Sequence, residues 1–229
     1  MSERKRVVFD FDHTLYDGDS GAHLVAWLIR RSRWRKALAT LAAPLLLPMV
    51  AWLPTRRRGI SGFLWIGTVG DAVPIEQSID AYAVANAPSI RARLLTPALA
   101  VLHRHRSDGD EVVIATGAPP ELARAILDFV AHQDLPVVGS LGRRFLGGYV
   151  TAQHCHAENK MRMLRALGHG EIDIAYSDST ADLPLLRAAR QPVVVNPKPA
   201  RIDAFRKLLP VGTPILNWGC KSRAGDPVP

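Results

Sequence analysis

Apolar positions in this chain gather into five short runs that do not alternate strictly: RVVFD (6–10), EVVIAT (111–116), LPVVGS (135–140), EIDIAYSD (171–178) and QPVVVN (191–196). Unbroken runs of branched and aromatic side chains at this length predict strands buried on both faces. Between the later runs lie PPELARAILDFVAHQ, ENKMRMLRALGHG and STADLPLLRAAR, whose patterning predicts helices of about three turns. Strands and helices in alternation predict an α/β fold, with a mostly parallel sheet covered on both faces. GRRFLGGYVTAQ (142–153) reads instead as a hairpin with Gly147-Gly148 at its turn.

The interval between the first two strands breaks the alternation. A crossover between parallel strands needs only about a dozen residues, yet residues 14–100 carry several helical and Pro-broken segments. The expected organisation is therefore a discontinuous core (1–13 and 101–215), a helical unit inserted after the first strand (14–100), and a loosely ordered tail (216–229). The insertion leaves the carboxyl end of the first strand, where open α/β sheets bind ligands, and is placed to lid that site.

Acidic residues mark the same edge. Asp10 and Asp12 end the first strand, and Asp178 and Asp182 follow the fourth in YSDSTAD. Two such clusters at one sheet edge make a hard-oxygen site of the kind Mg²⁺ prefers. Thr116 ends the second strand before a helix whose free N–H groups suit an anion. Lys160, at a helix start, carries a charge able to neutralise phosphate or a carboxylate. Any one of these aspartates alone is an ordinary loop residue. The ordered set of four clusters is the signal.

DFDHT (10–14), ATG (115–117), Lys160 and YSDSTAD (176–182) resemble the four motifs of the haloacid dehalogenase superfamily of phosphohydrolases, over almost the whole chain. The long insertion after the first motif resembles the subgroup that includes phosphoserine phosphatase. SDSTADLPLL and FLWIGTVG are similar to bacterial phosphatases of the phosphatidylglycerophosphatase C type. The resemblance implies a Rossmannoid three-layer sandwich with a helical cap inserted after the first strand. It implies Asp10 as the nucleophile that becomes an aspartyl-phosphate and Asp12 as general acid and base. Thr116, Gly117 and Lys160 would hold the phosphoryl oxygens. Mg²⁺ would be bound by Asp10, Asp178 and the Asp12 carbonyl, with Asp182 supporting the metal shell or Lys160.

One departure is His13, where the first motif commonly has Gly or Ser. It either caps the turn or faces the insertion, as a structural or substrate-orienting residue. Asp17 and Asp19 lie near where a phosphoserine-type enzyme would recognise an amino group. A turn at Asp17-Gly18 and a helix N-cap at Asp19 are the plainer readings.

Composition narrows the rest. At 229 residues and 48% hydrophobic, the chain suits one substantial core and excludes intrinsic disorder. Its two cysteines, Cys155 and Cys220, read as free thiols in a reducing compartment, and the start MSERKRVVFDFD is no signal peptide. Cytoplasmic residence is the expectation, with peripheral contact at the inner face of the cytoplasmic membrane as an extension of it. The HCH at 154–156 reads as a linker rather than a metal site, and His103 and His105 as solvent-facing.

A net charge of +8 calls for an anionic partner. Nucleic acid is not expected, because no recognition motif is present and the arginines do not alternate with aromatics. They flank an uncharged run, Ala37–Thr55: Arg30, Arg31, Arg33, Arg35 and Lys36 before it, Arg56, Arg57 and Arg58 after it. A single membrane crossing would separate strands that must join one sheet. Two readings stand: an interfacial segment with Arg56, Arg57 and Arg58 on acidic head groups, or a hairpin buried in a soluble lid. The expected function is a Mg²⁺-dependent phosphomonoester hydrolase acting on an anionic phospholipid phosphate such as phosphatidylglycerophosphate. The alternatives are a phosphatase of small soluble metabolites, such as phosphoserine or histidinol phosphate, and a catalytically silent scaffold. No feature of the sequence bears on oligomeric state.

Overall fold

Strand β1 (Arg6–Asp10) runs through the middle of a sheet, sending Val7 and Phe9 into the core on one face and Val8 into the core on the other. This computed structural model describes residues 4–52, 54–132 and 134–223. The partners of β1 are β2 (Glu111–Ala115), β3 (Val137–Val138), β6 (Ile172–Ser177), β7 (Ala189–Val195) and β8 (Ile215–Leu216), in the order β3-β2-β1-β6-β7-β8. Every pairing in this sheet is parallel. One face packs on α6 (Thr96–Ser107) and α7 (Pro120–Asp128) through Leu102, Leu122 and Ile126. The other packs on α8 (Glu158–Ala166), α9 (Leu183–Ala188) and α10 (Ile202–Leu208) through Leu164, Leu186 and Phe205. The result is the expected three-layer α/β arrangement.

Between β1 and β2 come α1 (Ser20–Arg30), α2 (Arg33–Ala51), α3 (Arg56–Thr68), α4 (Ile75–Ala85) and α5 (Ala87–Arg93), followed by α6. The boundary expected at residue 100 falls inside α6. That helix starts at Thr96 with Pro97 in its first turn, and its Ala98 and Leu102 are fully buried in the core. Helices α2 and α3 pack closely: a Cβ on Gly59 would stand 2.8 Å from Val50 Cγ2. Arg35 is the buried residue of α2. Its guanidinium donates to the carbonyls of Gly67 and Val69, each at 2.7 Å, and pairs with Asp71 at 2.6 Å. It thereby satisfies acceptors that the end of α3 leaves open.

The hairpin forms from β4 (Leu141–Phe145) and β5 (Gly148–Gln153), with its turn at Leu146-Gly147 rather than Gly147-Gly148. Both turn residues have positive φ, 45° and 78°, as a two-residue hairpin turn requires. Gly148 serves packing: a Cβ there would stand 2.8 Å from Trp65 Cδ1, and the Trp65 indole donates to the Phe145 carbonyl at 3.0 Å.

Three further expectations are corrected. Residues 216–223 are not loose. Leu216 pairs with β7, and Trp218 and Cys220 are buried against the core; residues 224–229 of the expected tail lie outside the described residues. His105 does not face solvent, because it pairs with Asp110 at 2.8 Å and hydrogen-bonds the Tyr176 hydroxyl at 3.0 Å. His103 is exposed as expected. The helix expected over 179–190 is cut short: Thr180–Asp182 form a 3₁₀ turn, and β7 already begins at Ala189. Both cysteines are free and buried. Among the described residues no helix is long and apolar enough to cross a membrane.

Candidate active site

Parallel strands deliver their C-terminal ends to one edge, and the pairing of Asp10 with Ala115 brings the end of β1 level with the end of β2. Asp10, Thr116 and Asp178 therefore meet there, and all are buried. Lys160, in the first turn of α8, reaches in from the second face. Its ammonium donates to Asp10 Oδ1 at 2.8 Å and to Asp182 Oδ2 at 2.7 Å. Ser177 Oγ donates to the same Asp182 oxygen at 2.8 Å. Burial opposes the lysine charge, but the carboxylates of Asp10 and Asp182 more than offset this and hold its pKa above the ordinary lysine value. Lys160 is a fixed cation.

Asp12 sits on the turn after β1, with Oδ1 accepting the Ser20 N–H at 2.7 Å. Burial, and next the Asp19 carboxylate, push its carboxyl up to about 8. It is thus a proton donor at neutral pH. Burial raises Asp10 beside it as well, but there the Lys160 ammonium 2.8 Å away pulls the other way. Two neighbouring carboxyl groups with environments this different suit opposite roles.

Asp178 is raised well above the usual carboxylate range, by burial and then by the adjacent Asp10. Two buried carboxylates in contact call for positive charge between them. The Asp10 and Asp178 carboxylates are hard oxygen donors of the kind Mg²⁺ prefers. Arg223 pairs with Asp178 and contributes that charge here. Among the described residues no three His, Cys, Asp or Glu side chains gather as a metal site, and His154, Cys155 and His156 form none.

Thr116 Oγ1 accepts the Ala118 N–H at 3.0 Å, which shapes the loop that carries Gly117. Ser140, which sequence reasoning missed, ties this loop down: its hydroxyl donates to the Gly117 carbonyl at 2.6 Å and accepts the Cys155 N–H at 2.9 Å. His154 and His156 stack at 5.3 Å on the approach to Lys160. The Arg56 guanidinium lies 3.4 Å from His156 Nε2, which links the start of α3 to the rim of the site. Arg57 donates to the Ala152 carbonyl at 2.9 Å, and Arg58 is exposed.

The side chains of His13 and Asp17 meet the C-terminal segment, while the Asp17 backbone N–H donates to the Arg93 carbonyl of the insertion at 2.7 Å. His13, at φ 61°, hydrogen-bonds Ser222 Oγ at 2.9 Å, and its carbonyl accepts from Asn196 at 2.8 Å. Asp17 accepts the N–H groups of Lys221 and Ser222 at 3.1 and 2.9 Å. Burial opposes its charge, but the hydrogen bonds from Ser222, Cys220 and Lys221 together outweigh it and hold the carboxyl down at about 2. Asp19 caps α1 through the Ala22 N–H at 2.8 Å. Arg223, Ser222 and Asn196 were missed because no periodicity marks an isolated loop residue that reaches back across the fold.

A family model described as haloacid dehalogenase-like hydrolase matches residues 7–187. Among solved structures, a protein of unknown function from Bordetella pertussis Tohama I is similar at 21% identity and TM-score 0.73, over 94% of this chain and 100% of that one. A substrate-bound phosphoserine phosphatase is similar at 13% identity and TM-score 0.58, over 94% of each chain. A cytosolic 5'-nucleotidase IIIB bound to cytidine is similar at 15% identity and TM-score 0.62, over 93% of this chain and 80% of that one. At these identities the likeness is one of fold.

Proposed function

This chain belongs to the haloacid dehalogenase-like hydrolases, and on that premise we propose that it is a Mg²⁺-dependent phosphomonoester hydrolase working through an aspartyl-phosphate. The observation that carries this reading is the buried Lys160 ammonium held between Asp10 and Asp182 at the sheet edge. A scaffold would gain nothing from burying two carboxylates around one lysine, since burying charge is costly.

The Lys160 ammonium favours the charged form of Asp10 against the burial that raises its carboxyl, and offsets the charge of the incoming phosphate. The Asp10 carboxylate attacks phosphorus, the ester P–O bond breaks, and Asp12 gives its proton to the departing alkoxide oxygen. Asp12, now a carboxylate, takes a proton from the water that attacks the aspartyl-phosphate, releasing inorganic phosphate and restoring Asp10. Thr116 and the Gly117 loop present hydroxyl and N–H donors to the phosphoryl oxygens, where negative charge spreads as the bond breaks. Held by Asp10, Asp178 and the Asp12 carbonyl, Mg²⁺ would neutralise phosphoryl charge and orient the phosphate for in-line attack.

The substrate we propose is an anionic phospholipid phosphate, phosphatidylglycerophosphate being the best single candidate. What supports it is the fate of the uncharged run: none of its described residues is buried, whereas a soluble lid around a small closed pocket would bury it. Turnover should require Mg²⁺, stop with EDTA, and be abolished by Asp10→Asn. In mixed micelles kcat/KM should be higher for phosphatidylglycerophosphate than for phosphoserine or histidinol phosphate. A preference of about tenfold for either small ester, about 1.4 kcal/mol at the transition state, would overturn the lipid assignment.

A further inference from the structure

Helix α2 is packed on one side only. Leu46 and Val50 lie against Gly62 and Gly59 of α3. On its outer surface Trp34, Leu41 and Leu45 fall seven and four residues apart, which sets them in one line along a helix. Trp52 follows seven residues later at the C-cap. These four side chains are 51%, 80%, 68% and 65% exposed, so the helix presents a continuous apolar ridge with an indole at each end.

Charge identifies what covers the ridge. Residues 20–70 contain eight Lys or Arg and no Asp or Glu, a surplus equal to that of the whole chain. Of these, Arg31, Arg33, Lys36, Arg57 and Arg58 are exposed. A second copy of the chain would set like charges against one another across such an interface. An anionic bilayer attracts the same charges and dissolves the same ridge. Indoles settle at the head-group level, with leucines between them at acyl depth. The ridge is convex, as a surface entering lipid must be, and no described helix is built to cross.

We infer that α2 is a membrane-docking element, seating the protein on an anionic phospholipid surface with Trp34, Leu41, Leu45 and Trp52 in the interface and the flanking arginines on head groups. Trp52 lies four residues before Arg56, which reaches His156 beside the Lys160 helix, so one end of the ridge leads to the rim of the candidate site. The inference rests on the lipid-phosphate reading for its role in the reaction, and on α2 alone for the surface.

The test is co-sedimentation of the full chain with phosphatidylcholine vesicles, with and without phosphatidylglycerol. Partitioning should be about tenfold or more stronger on the anionic vesicles and weaken with salt, with a blue shift of tryptophan emission. Leu41→Gln combined with Leu45→Gln should lower partitioning by about tenfold or more, and so should Arg57→Ser combined with Arg58→Ser. Turnover of p-nitrophenyl phosphate by the leucine variant should be unchanged, which also reports that it folds. Equal binding to neutral and anionic vesicles, or full binding by the leucine variant, would overturn the inference. So would a dimer that the leucine variant dissociates in a protein that ignores vesicles. Vesicle binding without hydrolysis of the lipid phosphate would sink the substrate reading and leave the docking. Hydrolysis in micelles by a protein that never binds vesicles would do the reverse.

Discussion

Arg223, from the C-terminal segment, forms an ion pair with Asp178 inside the carboxylate cluster at the sheet edge. Its approach is organised by Asp17, which accepts the N–H groups of Lys221 and Ser222 just before it, and its Nε is buried with no hydrogen-bond partner among the described residues. A cation bound by Asp10 and Asp178 must compete with this guanidinium. Arg223→Ala should therefore lower the apparent Kd for Mg²⁺ severalfold in calorimetric titration. Without metal the variant should be less stable, because Asp178 loses the charge opposite it, and added Mg²⁺ should restore more stability to the variant than to the wild type. Equal Mg²⁺ affinity in both proteins would show that the pair does not compete.

The Lys160 network makes a second stability prediction. Lys160→Met leaves Asp10 and Asp182 buried with their common partner gone, and removing one member of a buried pair typically costs about 3–5 kcal/mol. Urea unfolding should show a loss of that order. Combining it with Asp182→Asn should be less than additive, since the second change removes a carboxylate that the first left unpaired. Additive losses would mean that the lysine and Asp182 act independently.

Much of this site was legible before any coordinates, for a simple reason: a parallel sheet collects its strand ends, so short apolar runs ending in Asp10, Thr116 and Asp178 name one edge. What the sequence hid is equally physical. Strand β8 is two residues long, too short for any pattern. Gly147-Gly148 offered two candidates for one turn, and the choice fell to the close approach of Trp65 to Gly148. Arg223 touches Asp178 across a separation no local signal encodes. The run after Arg35 was apolar in sequence, but only its packing on α3 distinguishes the covered side from the exposed ridge.

Arg35 supplies the third prediction, concerning the α2–α3 pair. Arg35→Met keeps the aliphatic stem but strands the Gly67 and Val69 carbonyls, at about 1–3 kcal/mol for each unsatisfied acceptor. The loss should be local. Hydrogen exchange should accelerate over the last turn of α3 and the Val69–Asp71 loop, while amides of β1 and β2 keep their protection. Uniform acceleration across the sheet would place Arg35 in the global folding unit instead.

The fourth prediction concerns acid. His154 is held down at about 4, by burial first and then by the charges of His156, Arg56 and Lys160, and His156 is shifted the same way. Between that value and the unfolded value of about 6.5, the unfolded chain binds the proton and the folded chain does not. Stability from a neutral His154 is therefore complete above about pH 6.5 and drains as the pH falls toward 4, by at most about 1.4 kcal/mol per pH unit. Asp12, raised to about 8, acts in the opposite sense, because the folded protein holds its proton more tightly than the unfolded chain, so the total profile mixes both. His154→Asn removes the one titration while an amide can still meet Ser140, whose hydroxyl lies 3.0 Å from His154 Nδ1. Urea midpoints of the two proteins should run parallel above pH 6.5 and converge or cross below it, the wild type falling faster. Profiles that stay parallel down to pH 4 would mean that the imidazole takes up its proton equally in the folded and unfolded protein, and that the segment leading to Lys160 is open to water.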